Sequence, residues 1–468
     1  MKNKYSLLLL LSLLLFLQQI TIAQNPYHHD RVYTANQVSN TVSVIDPSTQ
    51  TLLGEIVLGK PQPDILTALY KGQALVHGLR YNPQTKMLAV VSIGSNGVTF
   101  ISTENNKVIK TVYVGRSPHE PTFSPNGKQV WISVRGEAYL SVIDVAKMME
   151  IKRVPVADGP GMVAFTPDGK FAYVCSSFTP EVDVVNTATY KVVKKIPVIS
   201  PFSPNIFYSA DGKWMAITHK DVGKVTVINT AAMAVKTVLT TGPITNHVTF
   251  TILNNKSIML VTVGGENKLR VFDVSNNFKQ TDSVSLGALP HGIWPSPDGK
   301  FAYIGLENDD KVQVVDLGKM ELIKTIPIGQ SPQALVYAAN AIAHPESKTN
   351  LTPLSSENSQ VINLKEINMG MGKGVLVVRG IGLTDLIQQS FNHLQPMSTY
   401  SLVLTKSAME PYNPDFIVNT FKTDDKGNYM GQTTGVVKTM VDKSVKDFTH
   451  VVLFDEAGKV VLMANAGK

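Results

Sequence analysis

Along most of the chain, apolar and polar residues alternate in short β-branched runs. Each run is closed by an acidic or amide residue and then by small polar ones. The phrase appears as Val44-Ile45-Asp46-Pro47, Phe100-Ile101-Ser102-Thr103, Val142-Ile143-Asp144-Val145 and Val184-Val185-Asn186-Thr187. It continues as Val227-Ile228-Asn229-Thr230, Val271-Phe272-Asp273-Val274 and Val314-Val315-Asp316-Leu317. The anchors Asp46, Thr103, Asp144, Asn186, Asn229, Asp273 and Asp316 are spaced by 57, 41, 42, 43, 44 and 43 residues. Such a register marks an internal repeat. Four strand-like runs fit in each period, and Asn126-Gly127, Asp168-Gly169, Asp211-Gly212 and Asp298-Gly299 supply the positive φ of a tight hairpin. Four antiparallel strands per period predict a propeller blade.

The two ends of the array predict how it closes. The first repeat lacks its innermost strand, since 32–36 corresponds to the second strand of a blade. The last fragment, 333–339, has the innermost-strand pattern alone. Together they form a seventh blade from both ends of the array, a closure that leaves no exposed edge. The long first interval holds an insertion at about 64–76, expected as a loop on one rim.

The segments Val32-Tyr33-Thr34-Ala35-Asn36, 41–46 and Phe171-Ala172-Tyr173-Val174 resemble the YVTN-type seven-bladed propeller repeat, as do the Gly-x-x-Pro-(His) and Ser-Pro-Asp-Gly-Lys turns. The resemblance covers about residues 30–340. It implies the fold firmly and the function loosely, because such propellers occur in bacterial and archaeal surface proteins, in binding proteins, and beside lactonase-like and haem-d1-like enzymes.

Beyond residue 340 the pattern changes. Residues 341–360 are rich in Pro, Ser, Asn and Thr and read as a linker, and short off-register strands over 361–468 predict a small β-sandwich. The expected fold is therefore all-β, a seven-bladed β-propeller over 24–340 followed by a β-sandwich-like domain. Residues 1–23 carry the marks of a secretory signal. Lys2 and Lys4 precede an eleven-residue apolar run, 7–17, and Thr21-Ile22-Ala23 ends in a small-residue cleavage pattern. That run is short of the roughly twenty residues that span a bilayer. The mature chain is expected to be periplasmic or extracellular with no membrane span.

Composition narrows the chemistry. The single Cys175 rules out a disulfide framework, a zinc ribbon and a c-type haem attachment site. The net charge of +7, two units of it in the leader, shows no basic stripe with interleaved aromatics, so nucleic acid is disfavoured as a partner. No nucleophile elbow, His-Glu-x-x-His or phosphate loop is present.

What remains is one repeated position. The residue that opens each innermost strand is His77, His119, Gly161, Pro204, Asn246, His291 or Gln333, with His247 beside Asn246. Imidazoles from several blades at one solvated channel mouth suit copper, zinc or iron, with His77, His119, His247 and His291 as the candidate ligands. The competing reading is that each His bonds the backbone of the next blade. The loops on the same face add Arg135, Glu137 and His219. These residues, with His77, His119, Asn246, His247, His291 and Gln333, form a rim suited to a small polar ligand, a peptide or a cell-surface partner. The favoured reading is an exported, non-catalytic binding or scaffold protein. The alternatives are a transition-metal redox protein and a lactonase-like enzyme using His119-Glu120 with Arg135.

Overall fold

The computed structural model describes residues 25–59, 74–354, 359–367, 371–380, 385–407, 409–435 and 448–465. The leader and most of the 64–76 insertion lie outside them. Seven four-stranded antiparallel sheets surround one channel. Six are continuous in sequence, with innermost strands Val76–Asn82, Pro118–Phe123, Pro160–Phe165, Ile206–Tyr208, Thr245–Leu253 and Pro290–Pro295. The seventh is assembled from both ends of the array. Pro332–Ala338 is its innermost strand and pairs with Arg31–Asn36 in the register Tyr33↔Val336 and Ala35↔Ala334.

The repeated anchors act as turn caps. Asp46, Asp273 and Asp316 each accept the backbone N–H two residues on through Oδ1, from Ser48, Ser275 and Gly318, at 2.8, 2.8 and 2.9 Å. The Ser-Pro-Asp-Gly turn is fixed in a related way. Ser296 Oγ donates to Asp298 Oδ1 at 2.7 Å and accepts from the Phe301 N–H at 3.0 Å, while Gly299 takes φ +68°. Between blades, the alternating apolar residues form clusters such as Trp131, Val142, Val163, Phe165 and Val174.

The segment 341–354, read as a linker, runs along the propeller. The Ala341 carbonyl accepts from Thr103, Asn106 donates to the Thr349 carbonyl, and Thr352 makes an isolated antiparallel bridge with Glu55. The C-terminal unit is all-β as expected, but its strands form one sheet of eight rather than two stacked sheets. The sheet runs from Phe416–Lys422 at one edge to Tyr429–Thr434 at the other. The two edge strands are drawn together by side chains. Asn419 Nδ2 donates to Tyr429 Oη at 2.8 Å, and the rings of Phe421 and Tyr429 stack at 4.0 Å. The result is a nearly closed barrel around Leu376, Val378, Ile387, Phe391, Leu402, Leu404, Val451 and Leu453.

Candidate functional site

Five of the six innermost strands of the continuous blades, all but Ile206–Tyr208, open with an irregularity that shapes the channel mouth. The pairing register shifts between Val76 and Leu79, Pro118 and Pro121, Pro160 and Val163, Thr245 and Val248, and Pro290 and Ile293. Bulges of this kind re-aim side chains. Here the bulged residues are the ones singled out from sequence.

The ring positions are joined blade to blade. Nδ1 of His77 donates to the His119 carbonyl at 3.3 Å, and Nδ1 of His119 donates to the Gly161 carbonyl at 2.7 Å. His291 Nδ1 donates likewise to Gln333, and Asn246 Nδ2 donates to the Pro290 carbonyl at 2.8 Å. A carbonyl can only accept, so these three imidazoles are Nδ1–H tautomers that keep a lone pair on Nε2. The backbone hydrogen bonds and the ligand geometry therefore coexist.

His247 stands one residue past the ring position, where its ring meets that of His291 at 4.7 Å, and the rings of His77 and His119 meet at 4.4 Å. Glu120 occupies the place in its strand that His247 occupies in its own. Gly78 makes room for it: a Cβ there would sit 2.7 Å from Glu120 Cδ and 2.8 Å from Oε2.

The mouth is not solvated as expected. His77, His119 and His291 are 5–7 % exposed and Glu120 is 1 % exposed. Burial holds the imidazoles neutral, helped by mutual repulsion and by Arg135. His77 is lowered to about 3, His291 to about 4, and His119 and His247 fall well below the usual range. The same burial raises Glu120 to about 7, opposed by Arg80, whose guanidinium lies 3.4 Å from Oε2.

Below this layer the channel is plugged. Arg80 crosses it to lie 5.0 Å over the Trp294 ring and 3.5 Å from Met162 Sδ. Asn205 Nδ2 also reaches Met162 Sδ, at 3.3 Å, and Phe207 packs edge-on against Trp294.

Above it stand charges from three blades. The Arg135 guanidinium lies over the rings of Phe178 and Phe202 at 5.8 and 5.4 Å. Lys220 is lowered by burial and by Arg135, an effect partly offset by Glu307. Burial would raise Glu307, but His291, Lys220, Gln333 and Arg379 outweigh it and hold its carboxyl low. None of the ion pairs among the described residues involves Arg135 or Lys220.

The barrel covers this face. In strand Lys373–Gly380, Leu376 and Val378 point into the barrel core, so the alternation turns Arg379 outward, onto the propeller. Its Nη2 donates to Asp310 Oδ1 and to the Glu307 carbonyl, each at 2.7 Å. A cleft of about 830 Å³ opens between the two units. Phe202, Lys220 and Asp221 line it on the propeller side, and His393, Lys422 and Tyr429 on the barrel side.

One of the sequence-derived candidates stands differently from expectation. His219 is wholly buried, with Nδ1 bonded to Ser203 Oγ at 2.8 Å and Nε2 to Thr226 Oγ1 at 2.7 Å, so neither nitrogen is free for a ligand. Glu137 acts on Tyr139 and Arg153 at the rim. Gln333 stays at the mouth, where its Nε2 donates to Ser331 Oγ at 3.0 Å and its side chain bonds Glu307. Conversely, Arg80, Lys220, Glu307 and Arg379 belong to the mouth and were not singled out. Glu120 enters from the sequence only in the lactonase-like alternative, with His119 and Arg135, and not among the metal ligands. Its repeat position, one past each ring residue, was the signal that could have found it.

Residues 27–332 match the family described as lactonase, 7-bladed beta-propeller. The chain belongs to that family. The seven-bladed lactonase propeller thus accounts for about two thirds of the sequence, and the barrel lies beyond the match. A search of curated proteins returns no match. Among solved structures, the chain is similar to hydrazine synthase of Kuenenia stuttgartiensis, with 21 % identity and a TM-score of 0.52 over 58 % of this chain and 91 % of that one. It is also similar to a functionally unknown protein from Desulfotomaculum acetoxidans, with 12 % identity and a TM-score of 0.57 over 66 % and 99 %. A third similar structure is the dihydro-heme d1 dehydrogenase NirN in complex with DHE, with 12 % identity and a TM-score of 0.50 over 88 % and 78 %. At these identities the likeness is one of fold, and this lactonase propeller's activity has to be argued from its own mouth.

Proposed function

We propose that this lactonase-family propeller is an exported binding protein, periplasmic or extracellular, that holds a small carboxylate-bearing ligand between the channel mouth and the barrel. The observation that carries this reading is the pair Arg135 and Lys220. Both are half-buried, neither has a carboxylate within ion-pair distance among the described residues, and Lys220 opens on the 830 Å³ cleft. Cations drawn out of water without a partner are costly, and an anionic ligand supplies the partner. Phe202 adds an apolar wall, and the hydroxyl and amide groups of the cleft suit a polar body.

The test uses the full mature chain, calorimetry, and a panel of succinate, citrate and gluconate with sorbitol as the neutral control. At least one carboxylate should bind, and R135M/K220M should raise its Kd about tenfold or more. Binding of sorbitol alone, or carboxylate binding untouched by the double variant, overturns the reading. Export is checked by N-terminal sequencing, with Gln24 as the expected first residue.

Lactone hydrolysis is the second reading. It is supported by the family match and by Glu120, a buried carboxyl beside imidazoles that is placed to take a proton from water. Turnover of γ- and δ-lactones in a pH-stat, abolished in E120Q, is the expected result on this reading. Rates equal to the uncatalysed background remove it.

A further inference from the structure

We infer that His77, His119 and Glu120 form a two-histidine, one-carboxylate site for a divalent first-row transition ion at the floor of the binding chamber. The inference rests on the reading of the capped mouth as a binding site and narrows the four-histidine set expected from sequence to a different trio. One ligand-capable atom from each of these three residues lies within 4.8 Å of one from each of the other two, and all three residues are buried. In a tetrahedral site with bonds near 2.1 Å the donors stand roughly 3.4 Å apart, so small side-chain rotations close the set.

Three independent features shape the trio for this task. The Nδ1–H groups of His77 and His119 are spent on backbone carbonyls, which fixes ring orientation and presents Nε2 as the donor. Metal-binding histidines are oriented in this way. Both oxygens of Glu120 lack a hydrogen-bond partner among the described residues. A buried carboxylate with no hydrogen-bond donor is costly unless something binds it; the Arg80 ion pair reaches only Oε2, at 3.4 Å, and leaves Oε1 open. Finally, Gly78 supplies the space that brings this carboxylate against the two rings.

Two neutral nitrogens and one carboxylate suit Zn²⁺, Fe²⁺ or Co²⁺ and leave at least one position for an exogenous ligand. A carboxylate held by Arg135 and Lys220 is placed to supply it, so the ion and the cations would grip one anion together.

The alternative is purely structural, with Glu120 serving Arg80 and the imidazoles serving the ring of backbone hydrogen bonds. The full mature chain, stripped with dipicolinate, is titrated with Co²⁺, whose visible ligand-field band reports bound nitrogen and oxygen donors. About one equivalent should bind per chain, Zn²⁺ should displace it, and the melting temperature should rise. H77Q, H119Q and E120Q should each weaken Co²⁺ binding by at least about 100-fold, whereas H450Q, on the barrel, should not. If a Gln variant fails to fold, E120D is read instead, with an altered band as the expected result. Absence of the band in folded wild-type protein overturns the inference, as does full binding by folded E120Q. Carboxylate binding is measured in the stripped protein in parallel. If it persists while Co²⁺ does not bind, only the metal site falls.

Discussion

Arg379 of the barrel and Asp310 of the propeller, 69 residues apart in sequence, form an ion pair at 2.7 Å in which the guanidinium is wholly excluded from water. Asp310 is itself held, because its Oδ1 also accepts the Ser331 N–H at 2.8 Å, at the entry to the strand that closes the ring. The barrel is thereby fastened to the blade junction on the face that carries the imidazoles.

Removing one partner of a buried pair leaves the other charge unpaired, at a cost of about 3–5 kcal/mol. R379M should therefore lower the urea midpoint of the full chain and expose 341–360 to proteolysis. D310N/R379M should recover part of the loss. A single variant that melts and resists protease like the wild type would show that the pair does not fasten the barrel.

Gly78 is expected to tolerate no side chain. A Cβ there meets the Glu120 carboxyl group and the His119 carbonyl oxygen. Overpacking of this kind costs about 1–3 kcal/mol. G78A should lower the urea midpoint accordingly. Adding E120A should restore only part of it, since the backbone carbonyl of His119 remains in the way.

The propeller was legible in the sequence because its determinants are local and repeated. The Asp46-type cap reaches two residues on, the Ser296–Asp298 turn closes within six, and Gly299 needs only its own φ. The repeat register likewise places His77, His119 and His291 at one equivalent position in their blades. What stayed hidden depends on contacts between distant elements. Arg379 sits in an unrecognised domain, and nothing local says that its outward face is covered. Arg80 looks like an ordinary strand residue until it is seen crossing to Met162 and Trp294. His219 reads from the sequence as a rim group for ligand binding because its partners, Ser203 and Thr226, come from neighbouring segments rather than from its own strand.

His219 gives a pH dependence with a definite sign. Burial lowers it to about 4, below the roughly 6.5 of an unfolded histidine. Between those values the unfolded chain binds the proton and the folded chain does not, so stability is full above about 6.5 and falls as pH drops toward 4. The residue's share of the loss is roughly 3 kcal/mol. H219Q keeps a hydrogen-bonding side chain and cannot take up the proton. The stability gap between wild type and H219Q should therefore narrow from pH 7.5 to pH 4.5 in denaturant titrations. A gap that stays constant would mean that His219 titrates alike in both states.

Closure of the ring can be separated from the presence of the barrel by two truncations. A chain of 25–354 loses the barrel but keeps Pro332–Ala338 paired with Arg31–Asn36. A chain of 25–331 loses that strand as well. With it go Ala334, Val336 and Ala338 from one interblade cluster and Leu335 and Tyr337 from the next. The hydrogen bond from Tyr337 Oη to Asp30, at 2.7 Å, and the carbonyl acceptor for His291 are lost too. The shorter chain also leaves Arg31–Asn36 as an unpaired apolar edge, a template for association. The longer fragment should unfold in one cooperative transition and stay monomeric, while the shorter should aggregate or melt broadly at lower temperature. Equal melting and solubility of the two would mean that the seventh blade's innermost strand does not hold the ring shut.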